Sequence, residues 1–435
     1  MEPVKIIGAG LAGCEAAWQL IKNDIPVILY EMRPSVMTPA HSTGDFAELV
    51  CSNSLRAAGL TNGVGLLKEE MRRLDSLIIR AADATSVPAG GALAVDRKKF
   101  SACIESVLRQ HPLVQVVEEE ITSIPEGLTI IAAGPLASPG LSNAIASLIG
   151  EEHLFFHDAI APIIDAASID MDKAFFASRY NKGNGSDYLN CAMDKAQYEH
   201  FYEELLAAEV APLHDFEEEK HFSGCMPIES MARLGRDAIR FGPMKPVGIE
   251  LPGGGGAYAI VQLRKEDTAG TAYNIVGFQT RLKQGEQRRV FQMIPGLEQA
   301  DFLRYGSMHR NTYLNAPRLL DPWMRLKGRE DLFFAGQISG VEGYVESAAG
   351  GLMAGIFASA VALDKPLPEF PPVTAHGSLL RFLQSPKGNF QPSNVNFGLF
   401  PPLELKKKLP KKERYQMYAE RALAALADFM RQVDR

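Results

Sequence analysis

Short apolar runs and stretches of helical periodicity alternate from the first residues of the chain. Val4-Lys5-Ile6-Ile7 reads as a buried strand. Gly8-Ala9-Gly10-Leu11-Ala12-Gly13 follows at once, and Glu15-Ala16-Ala17-Trp18-Gln19-Leu20 continues as a helix. Pro26-Val27-Ile28-Leu29-Tyr30 is a second apolar run that ends on Glu31. Residues 33–65, with Pro34, Pro39 and Gly44, read as a polar loop. Leu66, Leu67, Met71, Leu74, Leu77 and Ile78 recur at helical spacing and predict one helix over 66–82. Ala92–Val95 predicts a strand, and Asp96 can cap a helix running through Leu108. Val114–Val117 and Leu128–Ala132 predict further strands. Gly253–Gly256 lies between Ile249-Glu250-Leu251 and Tyr258–Val261, and predicts a flexible hairpin tip because no helix follows. Asp331–Gln337 predicts a strand ending on glycine, and a helix rich in glycine and alanine starts near Glu346. A proline-rich segment after Pro366 leads to a basic amphipathic helix over 411–433.

The first unit has the order strand, glycine turn, helix, strand, acid, which is the fingerprint of a dinucleotide site rather than a bare glycine pattern. Gly8 permits the tight turn, Gly10 lets the amides of the Ala9–Ala12 turn approach a pyrophosphate, and Gly13 lets the helix pack close to the sheet. Glu31, followed by Arg33, stands where a carboxylate can accept ribose hydroxyls. Ile130-Ile131-Ala132-Ala133-Gly134-Pro135 resembles the second glycine motif of two-dinucleotide-binding flavoproteins. Gly336 and Gln337 end a later strand, and Ser347, Ala348 and Gly350 sit in the first turns of the small-residue helix. In flavoproteins of that class such a helix aims its amides at the flavin, which favours FAD over NAD. The expected fold is α/β: an FAD-binding Rossmann-like domain of the two-dinucleotide type, with an inserted mixed α/β domain and a short helical C-terminal tail. The expected divisions are 1–150 and 326–365 for the FAD-binding parts, 151–325 for the insertion, and 366–435 for the proline-rich segment and tail.

Composition narrows the picture modestly. A chain of 435 residues with 46% hydrophobic and 22% charged positions is of ordinary globular type. No run of about 18 apolar residues stands out as a membrane span, and a strand beginning at Val4 leaves no room for a leader. Five cysteines, widely spaced and without a CxxC pair, argue against a disulfide framework and a zinc site; no metal is expected, and a reducing cytoplasm is. The net charge is −7, yet charge is uneven: Glu217-Glu218-Glu219 is acidic, while Lys406-Lys407-Lys408, Lys411, Lys412 and Arg414 form a basic block. That block suits either a solvated helix start or a polyanion contact.

Two cysteines have unusual neighbours. Cys51 lies in a Ser/Asn-rich loop ending in Arg56, and Cys225 lies in the turn His221–Glu229. A loop thiol among cationic or hydrogen-bonding groups can serve as a nucleophile; a buried structural thiol is the alternative. Cys14, Cys103 and Cys191 take the structural reading. His309, Arg310 and Asn311, within 306–317, supply planar hydrogen-bonding groups suited to a heteroaromatic ligand over a flavin, or simply a polar turn.

Gly8–Ala16, Leu49–Arg56, Gly224–Glu229, Arg240–Gly248, Met308–Tyr313 and Gly336–Tyr344 together resemble the folate- and FAD-dependent tRNA (uracil-5-)-methyltransferases, from residue 1 to about 400. The glucose-inhibited division protein A flavoproteins, which modify the wobble uridine of tRNA, are longer relatives. The resemblance implies formation of 5-methyluridine in the T-loop, with 5,10-methylenetetrahydrofolate as carbon donor, FAD as methylene carrier and reductant, and NAD(P)H to restore reduced FAD. It implies Cys225 as the thiolate that adds to uracil C6 and Cys51 as a second active-site thiol. It also implies His309 stacking on the pterin, with Arg310 and Asn311 on its edge. The T-arm of tRNA is then the partner, with phosphate contacts expected from Arg233, Arg236, Arg240, Lys245 and the 406–414 block. A wobble-uridine enzyme and a small-molecule FAD oxidoreductase are the competing readings.

Overall fold

The computed structural model describes residues 1–150, 154–211, 226–385, 390–405 and 409–433, with backbone alone for 154–159, 308–310 and 433. Its first sheet has six strands in the order Arg325–Leu326, Arg329–Phe334, Thr129–Ile131, Val4–Ile7, Val27–Tyr30, Val114–Val117. All its pairings are parallel except the outermost, between Arg325–Leu326 and Arg329–Phe334. Parallel central strands are covered on both faces, which is why Val4, Ile6, Ile130, Ile131, Phe333 and Phe334 are all buried.

Two helices meet in front of this sheet. Leu11–Ile21 follows the glycine turn, and Tyr344–Ala362 follows the returning strand. A Cβ at Gly13 would lie 1.8 Å from the Gly8 carbonyl oxygen, and one at Gly351 would lie 2.0 Å from that of Ala12. The absence of side chains at these two contacts sets the close approach of turn, helix and helix. Tyr344–Ala362 is also long and apolar enough to cross a membrane, a length the apolar runs of the sequence did not reveal. It lies instead in the core, with 83% of its apolar window buried.

A second sheet, wholly antiparallel, has the order Ala174–Ala177, Tyr188–Met193, Ala259–Lys265, Ala272–Ile275, Ile163–Asp165, Phe302–Arg304. One face packs Leu189, Cys191, Val261, Leu263, Tyr273 and Ile275 into a separate hydrophobic core. The opposite face carries Asn190, Gln262, Arg264 and Asn274. Strand alternation puts these two sets on opposite faces. The ribbon of Leu154–Ala159 paired with Met308–Tyr313 joins the two regions. The first core resumes at Tyr313 and also takes in Phe370, Phe390 and Phe429, so the tail packs on the parallel-sheet region.

Three expectations need correction. The helix over 66–82 is two helices, Gly63–Arg73 and Leu77–Ala84. Asp75 takes φ 57° and the Ser76 hydroxyl caps Ile79 N–H, so local side-chain capping overrides continuous periodicity. The loop over 33–65 contains the strand Ser54–Ala57 and the start of a helix at Gly63. Gly253–Gly256 is not a hairpin tip: Ile249–Leu251 forms no strand, and Ala259–Lys265 pairs with Tyr188–Met193 and Ala272–Ile275.

Candidate active site

A groove with about 1000 Å³ of space, partly open to solvent, runs over the C-terminal ends of the parallel strands. Gly8, Gly10, Leu11, Ala12, Glu31, Arg33, Gly134, Gly336, Gln337 and Ser347 line it, as their motifs predict. Ala9, Gly13, Ala348 and Gly350 do not line it. Ala9 sits behind the wall and donates its N–H to Glu31 Oε2 at 2.9 Å. Gly13 and Gly350 are packing positions, and Ala348 is fully buried.

The fit to FAD can be tested on the helix ends. Neither Leu11–Ile21 nor Tyr344–Ala362 has a side-chain cap on its first turn, and both begin at the groove. Their free N–H groups suit a pyrophosphate at one end and an electron-rich ring edge at the other. A Cβ at Gly10 would meet nothing within 4 Å, so that side of the turn is open to a ligand. The residues present therefore fit the dinucleotide.

Glu31 is more constrained than the sequence suggested. Its Oε1 accepts from Arg33 N–H at 3.0 Å and Arg33 Nε at 2.9 Å, and its Oε2 from Arg33 Nη2 at 3.1 Å. Burial alone would raise its pKa, but Arg33 outweighs burial and holds the carboxyl below its ordinary value. Arg33 also pairs with Glu48 at 3.2 Å, whose carboxylate gathers the N–H and hydroxyl groups of Ser42 and Thr43. The loop over the groove is thus tied to the acid that ends the second strand. His41 in this loop is pushed down to about 4 by burial and by the charges of Arg33 and Arg304.

A second cavity, with about 1430 Å³ of space partly open to solvent, adjoins the first, and both are lined by Val50, Pro135, Leu136, Gln337 and Tyr344. Cys51 and Asn311 line it. The Cys51 loop is held from three directions. The Tyr344 hydroxyl accepts from Cys51 N–H at 2.6 Å and from Ser52 N–H at 3.3 Å, and burial raises the phenol pKa. Arg97 donates to the Leu49 carbonyl and, at 3.0 Å, to that of Cys51, while pairing with Glu266. Arg264 donates to Asn53 Oδ1 at 2.7 Å and Ser52 Oγ at 2.6 Å, and Arg304 donates to the Val50 carbonyl at 2.6 Å. Three guanidinium groups thus converge on the loop that carries the thiol and fix its backbone.

Arg56, also in the lining of this cavity, adopts φ 62° and pairs with the fully buried Glu346. The buried Lys68 fixes that turn, donating to the carbonyls of Leu55 and Ala57 at 2.6 and 2.7 Å.

Cys225, Glu217–Glu219 and Lys406–Lys408 lie outside the described residues. His309 and Arg310 fall on the strand Met308–Tyr313, and their side chains are likewise outside the description. Among the arginines expected to meet phosphate, Arg240 has its guanidinium 4.0 Å from the Tyr258 ring centroid and bonds the Tyr258 carbonyl at 3.0 Å. Arg236 faces Glu199 and Glu203 at 3.7 and 3.6 Å. Sequence reading missed Arg97, Arg264, Asn274 and Glu266. A run of polar residues alternating within an otherwise apolar strand, as in Gln262 and Arg264, was the available signal.

A family model described as "Glucose inhibited division protein A" matches residues 3–366. A "Methylenetetrahydrofolate--tRNA-(uracil-5-)-methyltransferase TrmFO" of Listeria monocytogenes is 60% identical over 425 residues, 97% of this chain and 98% of its own length. A relative with the same description in Anoxybacillus flavithermus is 59% identical over 433 residues, 99% of this chain and 100% of its own. The solved structure of Aquifex aeolicus GidA in its form II crystal superposes with a TM-score of 0.71 at 17% identity, covering 99% of this chain and 73% of that one. At that identity the likeness speaks to the fold. The chain belongs to the glucose inhibited division protein A family and, within it, to the TrmFO proteins.

Proposed function

We propose that this chain is a methylenetetrahydrofolate–tRNA (uracil-5-)-methyltransferase, forming 5-methyluridine in the T-loop, and that it works in the cytoplasm, apart from any membrane. The observation that carries the reading is the junction of the two cavities at Gln337 and Tyr344, with Cys51 in the second. A dinucleotide laid along the first groove brings its ring system to that junction, beside a space large enough for a flipped base. Bound FAD supplies an atom that takes up a one-carbon unit, the electrons that complete a methyl group, and a reason for NAD(P)H as the recurring reductant.

The residues have separate tasks. The amides of Leu11 and Ala12 would hold the pyrophosphate, and Glu31 with Arg33 would bound the adenosine end. Ser347 and the first turn of its helix would face the flavin pyrimidine. His309, Arg310 and Asn311 would hold the folate pterin; the burial of Asn311 at the cavity wall supports this for its own part. Uracil C5 is a poor nucleophile until a thiolate adds to C6 and raises electron density at C5. Cys225 is the attacking sulfur in this reading. Ile228, three residues further on, donates its N–H at 2.7 Å to Gln279, which lines the second cavity. Cys51, on the loop that Arg97, Arg264 and Arg304 hold, would receive the proton that C5 must lose.

A T-arm RNA carrying 5-fluorouridine at the target tests the assignment, because the fluorine blocks loss of the C5 substituent and leaves the attacking thiol attached. Peptide mass should locate the adduct on Cys225 and lose it in Cys225→Ala, with FAD and RNA binding retained. An adduct on Cys51 would exchange the two roles. Turnover of a small molecule with no affinity for tRNA at low salt would favour the oxidoreductase reading instead.

A further inference from the structure

The polar face of the antiparallel sheet looks into the second cavity, and two of its side chains are directly opposed. Arg264 and Asn274 are register partners on the adjacent strands Ala259–Lys265 and Ala272–Ile275. Both line the cavity, at 6% and 3% exposure. Their chain neighbours Leu263, Tyr273 and Ile275 point the other way, into the insertion core.

The two differ in how they are satisfied. Arg264 is fixed by Asn53 and Ser52, the residues that follow Cys51. The Asn274 amide nitrogen is buried with no hydrogen-bond partner among the described residues. A buried amide donor left unpaired is destabilising relative to an apolar side chain of the same size. An asparagine kept in that condition at a cavity wall points to a partner that arrives with the ligand.

The position of the wall narrows the ligand. Val276, Gly277 and Gln279 continue it from Asn274, and the Gln279 carbonyl holds Ile228, three positions after Cys225 in the sequence. Gln337 and Tyr344, at the junction with the dinucleotide groove, form another part of the lining. We propose that Asn274, with Arg264 beside it, reads the imide edge of the uracil ring. The inference rests on the uracil-methylating function proposed above. One carboxamide offers a donor and an acceptor side by side, and uracil offers a carbonyl oxygen beside N3–H. The two bonds hold the ring at a fixed angle while C6 meets the thiolate. The Arg264 guanidinium favours the negative charge that spreads onto the ring carbonyl as sulfur adds. Cytosine presents an amino group and a bare N3 at the same edge, which opposes donor to donor in the carboxamide orientation that suits uracil.

The test compares the flavin-loaded wild type with Asn274→Asp and Asn274→Leu, using T-arm RNAs with uridine or cytidine at the target. A carboxylate only accepts, so Asn274→Asp loses the bond to the uracil carbonyl and gains one from the cytosine amino group. In Asn274→Asp the KM for uridine RNA should rise roughly ten- to a hundredfold, and the preference for uridine RNA in binding and adduct formation should narrow by a similar factor. The KM for methylenetetrahydrofolate should not move. Asn274→Leu should weaken uridine RNA in the same way while melting no lower than wild type, a combination that a purely structural amide would not give. An unchanged RNA KM and base preference would overturn the inference. So would a rise in the folate KM alone, which would assign the amide to the pterin. Failure of the wild type to methylate uridine RNA would instead remove the proposed function on which the inference stands.

Discussion

Arg97→Met offers the sharpest check on how the Cys51 loop is held. The guanidinium is mostly buried, pairs with Glu266, and donates to the carbonyls of Leu49 and Cys51. Glu266 is 5% exposed, and its Oε1 already has no hydrogen-bond partner among the described residues. Methionine fills the same space but leaves that carboxylate buried without its ion-pair partner, a change that costs about 3–5 kcal/mol when one member of a buried ion pair is removed, and Arg264 nearby places the loss toward the lower figure. The paired change Arg97→Met/Glu266→Gln removes the charge as well and should recover more than half of the loss. Urea denaturation of the flavin-loaded protein measures both. Thiol labelling then separates fold from site. In Arg97→Met, Cys51 should react at an altered rate while Cys14, held in the first helix with its thiol at 3.2 Å from the Ala9 carbonyl, stays protected. A loss below about 1 kcal/mol, or a double variant no more stable than the single, would refute the claim that this ion pair fastens the loop.

Other outcomes follow from the same geometry. Gly10→Ala should fold with little loss of stability, since its Cβ meets nothing within 4 Å, yet retain FAD poorly; flavin absorbance after gel filtration reads this directly. Gly13→Ala should lose both fold and flavin, because its Cβ would sit 1.8 Å from a carbonyl oxygen; a yellow, cooperatively melting variant would contradict it. His41, at about 4 in the folded chain against about 6.5 unfolded, is protonated more readily in the unfolded state between those values. Stability should therefore fall as pH drops from 6.5 toward 4, by up to about 1.4 kcal/mol per pH unit from this group, and His41→Gln should flatten that part of the profile. Cys225→Ala should abolish methyl transfer while FAD and RNA binding persist, as measured by flavin absorbance and fluorescence anisotropy.

Local chemistry was legible in the sequence wherever a few consecutive residues determine it. The strand Val4–Ile7, the turn after it, the cap at Asp96 and the small-residue helix depend on near neighbours, and the structure places Gly8, Gly10 and Gly336 on one groove. What escaped reading depends on contacts between distant segments. Arg97, Arg264 and Glu266 look like ordinary charged residues until strand pairing brings them against a loop more than forty positions away. Lys68 and Glu70 would pass for the wet side of a helix, yet both are fully buried, one under the Arg56 turn and the other at the start of the helix Ala375–Gln384. Ser76 was the missed local signal: its hydroxyl starts a new helix where apolar spacing alone ran on.

The central claim is that carbon passes from a folate to uracil within one flavin-loaded site. Purified protein should be incubated with T-arm RNA, NAD(P)H and methylenetetrahydrofolate labelled in its one-carbon unit. The label should appear on C5 of a single T-loop uridine, in proportion to bound FAD. No transfer from the folate, or equal transfer from S-adenosylmethionine without flavin, would contradict it.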